Sequence, residues 1–388
     1  MHTWLLPEYL EDILPPDAWR VEQLRRQLLD LFHTHGYRLI VPPLLEYLPS
    51  LLTGTGYDME LQTFTLVDQL SGRMMGLRAD ITPQAARIDA HLLNRQGVVR
   101  LCYAGSVLHT LPNGFTQTRE PLQIGAELFG HGGLESDVEI QQLMLNALAC
   151  AGINDIHLDI GHVGISRHLV ALTGVGAEHA TDLFQALQGK DQAWIEELTA
   201  GAPGKVRDAL RLLPELYGDA QILDEAARCL PEYEEIHHAL AELRAMAAQL
   251  GDHAPSLCFD LAELRGYRYH SGVVFAAYAR GRATAVAQGG RYDEVGKAFG
   301  RARPATGFSM DLRILAGLTQ PAAGTGGILA PYVQDAALQD KIGSLRAQGE
   351  VVVVELPGSE PHRRELGCER VLVRQGDRWE VVALNDTH

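Results

Sequence analysis

Asp80-Ile81-Thr82-Pro83 sets a carboxylate and a hydroxyl just ahead of a proline suited to a first helical turn, and capping of that turn accounts for both. Ala305 to Met310 is a short apolar run leading straight into Asp311 to Leu318, whose Leu312, Leu315 and Ala316 have helical spacing. A glycine at such a strand-to-helix junction, Gly307, leaves room for a planar ligand or a close backbone approach. Gln288-Gly289-Gly290-Arg291-Tyr292-Asp293 reads as a turn, because paired glycines reach positive φ without strain. The five cysteines (102, 150, 229, 258 and 368) form no Cys-x-x-Cys and show no metal-like spacing, so they read as buried thiols in a reducing compartment. There is no glycine-rich phosphate loop, no zinc pattern and no Ser-His-Asp arrangement. Neither a metal nor a cofactor is expected.

These residues need a scaffold, and the chain has material for one. Its 388 residues are 46% hydrophobic and 21% charged, which is ordinary soluble composition with room for two or three domains. No apolar run is long enough to span a membrane, and the opening segment is acidic where a signal peptide would be basic, so a cytoplasmic location is expected. The net charge of −16 repels a phosphate backbone on average, so nucleic acid would need a local basic patch.

Asp17 opens a helix with Leu24, Leu28, Leu29, Leu31 and Phe32 on its apolar face, closed by Gly36. Tyr37 to Pro43 then reads as a strand stopped by prolines. Strands are expected at Gln62–Asp68, Arg73–Arg78, Gln123–Gly130, Ile156–Gly161, and in pairs across Gly272–Gln288, and a helix at Glu135–Gly152. Residues 163 to 250 are rich in Ala, Leu, Glu and Arg and read as almost wholly helical. After Thr319 a Gly- and Ala-rich linker precedes strand, helix, strand and two further short strands.

GYRLIVPPLLE, the Asp80 to Thr82 segment, the strand Gln123 to Gly130, Arg265 to Gly272, and GGRYD followed by GFSMDLRIL together resemble the core of the class II histidyl-tRNA synthetases, in the family's order. The resemblance covers about residues 5 to 320. It implies an α+β fold, an antiparallel sheet flanked by helices, with a helical insertion at about 163–250 in a core of residues 1–320. Residues 321–388 would form a linker and a small α/β C-terminal domain, shorter than the family's anticodon-binding domain. It also implies a histidine pocket, vestigial or regulatory, built from Asp80, Thr82, Gln123, Glu127, Arg265, Tyr269 and His270, and a self-dimer through the N-terminal motif.

Where the family grips ATP, this chain departs from it. His109 stands at the position of the phosphate-binding arginine, Leu111 at that of the adenine-contacting glutamate, and Ile314 at that of the second arginine. Imidazole and aliphatic side chains cannot replace a guanidinium fork, and a charge-assisted bond is worth roughly 1.5 to 3 kcal/mol. The pattern of retention and loss resembles one family, the regulatory subunits of ATP phosphoribosyltransferase. That resemblance implies no catalysis by this chain, no tRNA, and assembly with the short-form catalytic subunit as a hetero-octamer. It further implies a requirement for the first step of histidine biosynthesis and feedback regulation by histidine. The alternatives are an active histidyl-tRNA synthetase-like enzyme and a stand-alone histidine sensor.

Overall fold

The 17–34 region is helical because Val21, Leu24, Leu28 and Phe32 recur every third or fourth residue and all become buried. In the computed structural model of the protein, residues 4–53, 57–112, 118–251, 256–264, 266–267, 269–319 and 326–384 are described. The helix Asp17–Thr34 lies on one face of a large sheet with the helices Leu134–Cys150 and Leu312–Leu318. Phe32 meets Phe308 of the sheet edge-to-face, with ring centroids 5.9 Å apart.

Among the described residues that sheet has nine strands. In spatial order they are Arg38–Leu39, Val99–Ser106, Leu122–Phe129, Ala305–Asp311, Ala287–Arg291, Val273–Ala279, Ile156–His162, Leu257–Asp260 and Tyr217–Gly218. The strands from Val99–Ser106 across to Ile156–His162 are antiparallel throughout. Parallel pairing occurs toward the edges, between Arg38–Leu39 and Val99–Ser106 and between Ile156–His162 and Leu257–Asp260. Period-two alternation sends Ile124, Ala126 and Leu128 into the helix-covered core. On the opposite face, Leu101, Tyr103 and Phe129 pack with Ile81, Ala85, Ala86 and Tyr292 in a second cluster. The helix Thr82–Arg87 thereby covers that face.

Several sequence expectations need correcting. Gly289 and Gly290 lie in no turn: Ala287–Arg291 is an interior strand. A Cβ on Gly289 would run into the Gly307 carbonyl, and one on Gly290 would come within 2.6 Å of the Val273 carbonyl oxygen. The glycines are there for close packing, which a search for turn residues misreads. The Tyr37–Pro43 strand shrinks to Arg38–Leu39. The stretch 163–250 adds the short edge strand Tyr217–Gly218 between its helices, and those helices share one continuous core with the sheet. Only Cys102 is buried among the cysteines; Cys150 and Cys229 are exposed. Among the described residues no helix is long and apolar enough to cross a membrane.

The chain divides into two compact units, Met1–Thr319 and Gln320–His388. Among the described residues the second has a four-stranded sheet in the order Val352–Val354, Gly327–Ala330, Cys368–Gln375, Arg378–Ala383. The helix Ala336–Ala347 buries Leu338, Ile342 and Leu345 against Ile328, Ala330, Val352 and Leu372.

Candidate functional site

A cavity of about 160 Å³ opens on the sheet face beneath Thr82–Arg87. Its walls include Asp80, Thr82, Glu127, Tyr269, His270 and Tyr292, and its floor includes Gly289 and Gly307. The size suits a small metabolite, since pockets for drug-sized ligands run from roughly 300 Å³ upward. Strand pairing puts Glu127 opposite Leu101 on one side and Gly307 on the other. A side chain at 307 would collide with the Glu127 carboxylate, so the glycine is what lets that acid lie across the sheet.

Glu127 is the electrostatic centre of this cavity and is only 1% exposed. Its Oε1 accepts a hydrogen bond from the Tyr103 hydroxyl at 2.9 Å, and its Oε2 accepts one from the Tyr292 hydroxyl. Burial outweighs these two donors and pushes the carboxyl up to about 8. The Tyr103 oxygen also lies 3.0 Å from Thr82 Oγ1, so Thr82, Tyr103, Glu127 and Tyr292 form one buried chain of hydrogen bonds. At the other end, Asp80 Oδ1 accepts from the Thr82 backbone N–H at 3.0 Å and from Gln123 Nε2 at 2.7 Å. Gln123 Oε1 in turn accepts from the Ile81 N–H at 2.9 Å, clamping the start of the helix to the sheet. Asp80 therefore braces the turn ahead of the helix, where a capping role was expected; the residue before the first helical position, Ile81, has no side-chain cap.

Tyr269 lies over Tyr292 with centroids 5.0 Å apart, and its buried hydroxyl has no hydrogen-bond partner among the described residues. An unmade buried bond costs roughly 1 to 3 kcal/mol, which a ligand in the cavity would recover. His270 Nδ1 lies 3.3 Å from the Arg291 carbonyl oxygen, and burial depresses the imidazole to about 4, so it is neutral at physiological pH. Arg291 itself points away from the cavity into a knot with Asp137 (2.8 Å), Ser136 and the Gly133 carbonyl. That knot ties the helix Leu134–Cys150 to the end of the strand Ala287–Arg291, which Tyr292 directly follows. Arg265 lies outside the described residues.

Of the expected site residues, Asp80, Thr82, Glu127, Tyr269 and His270 line the cavity, and Gln123 braces Asp80 from beside it. Sequence reasoning missed Tyr103 and Tyr292. The signal for Tyr103 was its strand alternation, which sets it on the Glu127 face; Tyr292 was hidden by the turn reading.

The three departures also have definite places. His109 is buried, with Nε2 2.9 Å from the Ala79 carbonyl oxygen. Leu111 is 71% exposed, and Ile314 packs against the helix-side core. None of the three lines the cavity. Arg313, the nearest arginine to position 314, turns toward Glu11 and Glu120 and lines a separate cleft with Asp17 and Arg20. A single helical step rotates a side chain by about 100°, which explains why it does not stand in.

The family model for histidyl-tRNA synthetase matches residues 9–315, and that for the ATP phosphoribosyltransferase subunit HisZ C-terminal domain matches residues 325–382. A Methylobacillus flagellatus protein named ATP phosphoribosyltransferase regulatory subunit is 56% identical, over 99% of this chain and 99% of its own. A protein of the same name from Nitrosospira multiformis is 57% identical over 98% of each. Among solved structures, an ATP phosphoribosyltransferase regulatory subunit/histidyl-tRNA synthetase from Bacillus halodurans superposes with a TM-score of 0.82 at 26% identity, covering 94% of this chain and 96% of that one. A histidyl-tRNA synthetase from Nostoc sp. PCC 7120 has a TM-score of 0.78 at 17% identity, covering 98% and 97%, and shows the fold alone. With identity above one half along essentially its whole length, and with both family models in place, the chain belongs to the ATP phosphoribosyltransferase regulatory subunit family.

Proposed function

We propose that this chain is a regulatory subunit without catalysis of its own, which assembles with the short-form catalytic subunit of ATP phosphoribosyltransferase as a hetero-octamer. In that complex it is required for the first step of histidine biosynthesis, and histidine held in the Glu127 cavity signals feedback. The observation that carries the reading is a mismatch of chemistry across one scaffold. The amino-acid cavity keeps its acids and phenols, while the positions of the nucleotide-gripping residues hold an inward-bonded His109, an exposed Leu111 and a core-packed Ile314. Adenylation depends on stabilising negative charge at phosphorus, and none of those three side chains offers a fixed cation. Asp80 suits an ammonium group, and the Glu127 chain with the unpaired Tyr269 hydroxyl suits an imidazole. The self-dimer through the N-terminal motif is supported by Leu39, Val41 and Leu44, which are 53%, 84% and 40% exposed beside the edge strand Arg38–Leu39.

The test adds the full-length chain to the purified short-form catalytic subunit and follows phosphoribosyl transfer to ATP, with and without histidine. Turnover should appear or rise, and histidine should suppress it. Asp80→Asn should keep the activation and weaken the histidine effect by roughly ten- to a hundredfold, the loss of one charge-assisted hydrogen bond. Unchanged turnover on adding the chain would overturn the assembly reading. Robust histidine-dependent pyrophosphate exchange by the chain alone would favour an active synthetase.

A further inference from the structure

The strand Ile156–His162 presents alternate side chains to one face of the sheet, so His157 and Asp159 point the same way. Its parallel neighbour pairs Cys258 directly with Asp159. An imidazole, a carboxylate and a thiol are thus set side by side by register alone, and their ligating atoms lie within 4.8 Å of one another. No spacing in the sequence shows this, because Cys258 comes from beyond the helical insertion.

We propose that His157, Asp159 and Cys258 form a three-ligand site for a late first-row divalent cation of the zinc type, with solvent supplying the fourth ligand. Zinc bonds of about 2.0 to 2.3 Å place tetrahedral ligand atoms roughly 3 to 4 Å apart. His157 Nε2 is already 2.8 Å from Asp159 Oδ1, so a modest side-chain rotation opens the space. The nitrogen, oxygen and sulfur donor set selects zinc, cobalt or copper over magnesium and calcium, which take oxygen alone. His157 Nδ1 lies 2.8 Å from Ser256 Oγ, the outer-shell contact that fixes a ligating ring with Nε2 toward the ion. The site is reachable from solvent: His157 is exposed and borders an open depression lined also by Asp155, Ser256 and Tyr278. On binding, the Cys258 S–H proton leaves to solvent and the thiolate takes the metal, while the imidazole keeps a single proton, on Nδ1, donated to Ser256. The bound ion would staple the strand Leu257–Asp260, which leads directly into the segment carrying Tyr269 and His270, to the interior of the sheet.

The experiment titrates cobalt(II) into the chelator-stripped full-length protein and follows the thiolate-to-cobalt charge-transfer band, with zinc as competitor. The band should grow to one cobalt per chain and be erased by zinc. Cys258→Ser should abolish it, Ser256→Ala should weaken cobalt affinity by roughly ten- to a hundredfold, and Cys150→Ser with Cys229→Ser should leave it unchanged. No band in the wild-type protein, a band that persists in Cys258→Ser, or a band lost with the Cys150 and Cys229 pair would each overturn the proposal. Thermal melting in chelator, equal for wild type and Cys258→Ser, separates lost ligation from lost folding.

Discussion

Glu127 shows what burial does to an acid that the structure also needs. Its two phenol partners favour the ionised form, yet desolvation prevails and raises the carboxyl from its ordinary value near 4.5 to about 8. Below about pH 4.5 the group is protonated in folded and unfolded chains alike, and stability does not depend on it. Between there and about pH 8 the unfolded chain releases the proton more readily than the folded one, so stability falls as pH rises, then levels off. Glu127→Gln removes that slope. Urea midpoints should therefore show wild type losing stability relative to Glu127→Gln from pH 5 to pH 9, and parallel pH profiles would refute the assignment. The motif around Glu127 marked it as a candidate, and the structure places it in the cavity. Its partners were not marked, since Tyr103 and Tyr292 meet it only through strand pairing and packing.

At the scale of elements, the site is a property of adjacent strands. Gly289 and Gly307 sit where neighbouring strands pass closely, with Gly290 paired to Gly307 in the ladder. An added methyl at 289 meets the Gly307 carbonyl, the Phe275 ring at 2.7 Å and the Phe308 backbone at 2.8 Å, none of which can yield by rotating a flexible tip. Gly289→Ala should accordingly cost about 1 to 3 kcal/mol, the usual penalty of overpacking, read as a fall in the urea midpoint with an unchanged slope. A cost near zero would show that the neighbouring strands do not pass this closely at Gly289. Most other elements were visible in advance because period and punctuation agreed: the helix Asp17–Thr34 ends before Gly36 at φ +83°, and the helix Leu312–Leu318 starts where the strand Ala305–Asp311 ends. The glycine pair failed because the same residue serves both positive φ and close approach, and only the neighbours reveal which.

For the whole molecule, the helices of 163–250 and those flanking the sheet bury a single continuous core, whereas the C-terminal unit has its own. A chain ending at Thr319 should therefore fold, with a circular dichroism spectrum of mixed helix and strand and one cooperative melt close to that of the corresponding transition in the full chain. Collapse of that fragment into a non-cooperative state would show that the tail completes the core. The same fragment retains every described residue of the Glu127 cavity, so under the function proposed above calorimetry should give it the histidine affinity of the full chain.

By itself the sequence determined the fold family and the loss of two arginines and a glutamate at three inherited positions, because those are matters of local pattern and residue identity. Tertiary structure decided which side chains meet: the phenols on Glu127, the knot around Arg291, and the approach of Cys258 to His157 and Asp159. Each joins residues far apart in the chain; those of Tyr103 with Glu127 and of Cys258 with Asp159 are set by sheet register, and a shift of one residue would turn them to the opposite face.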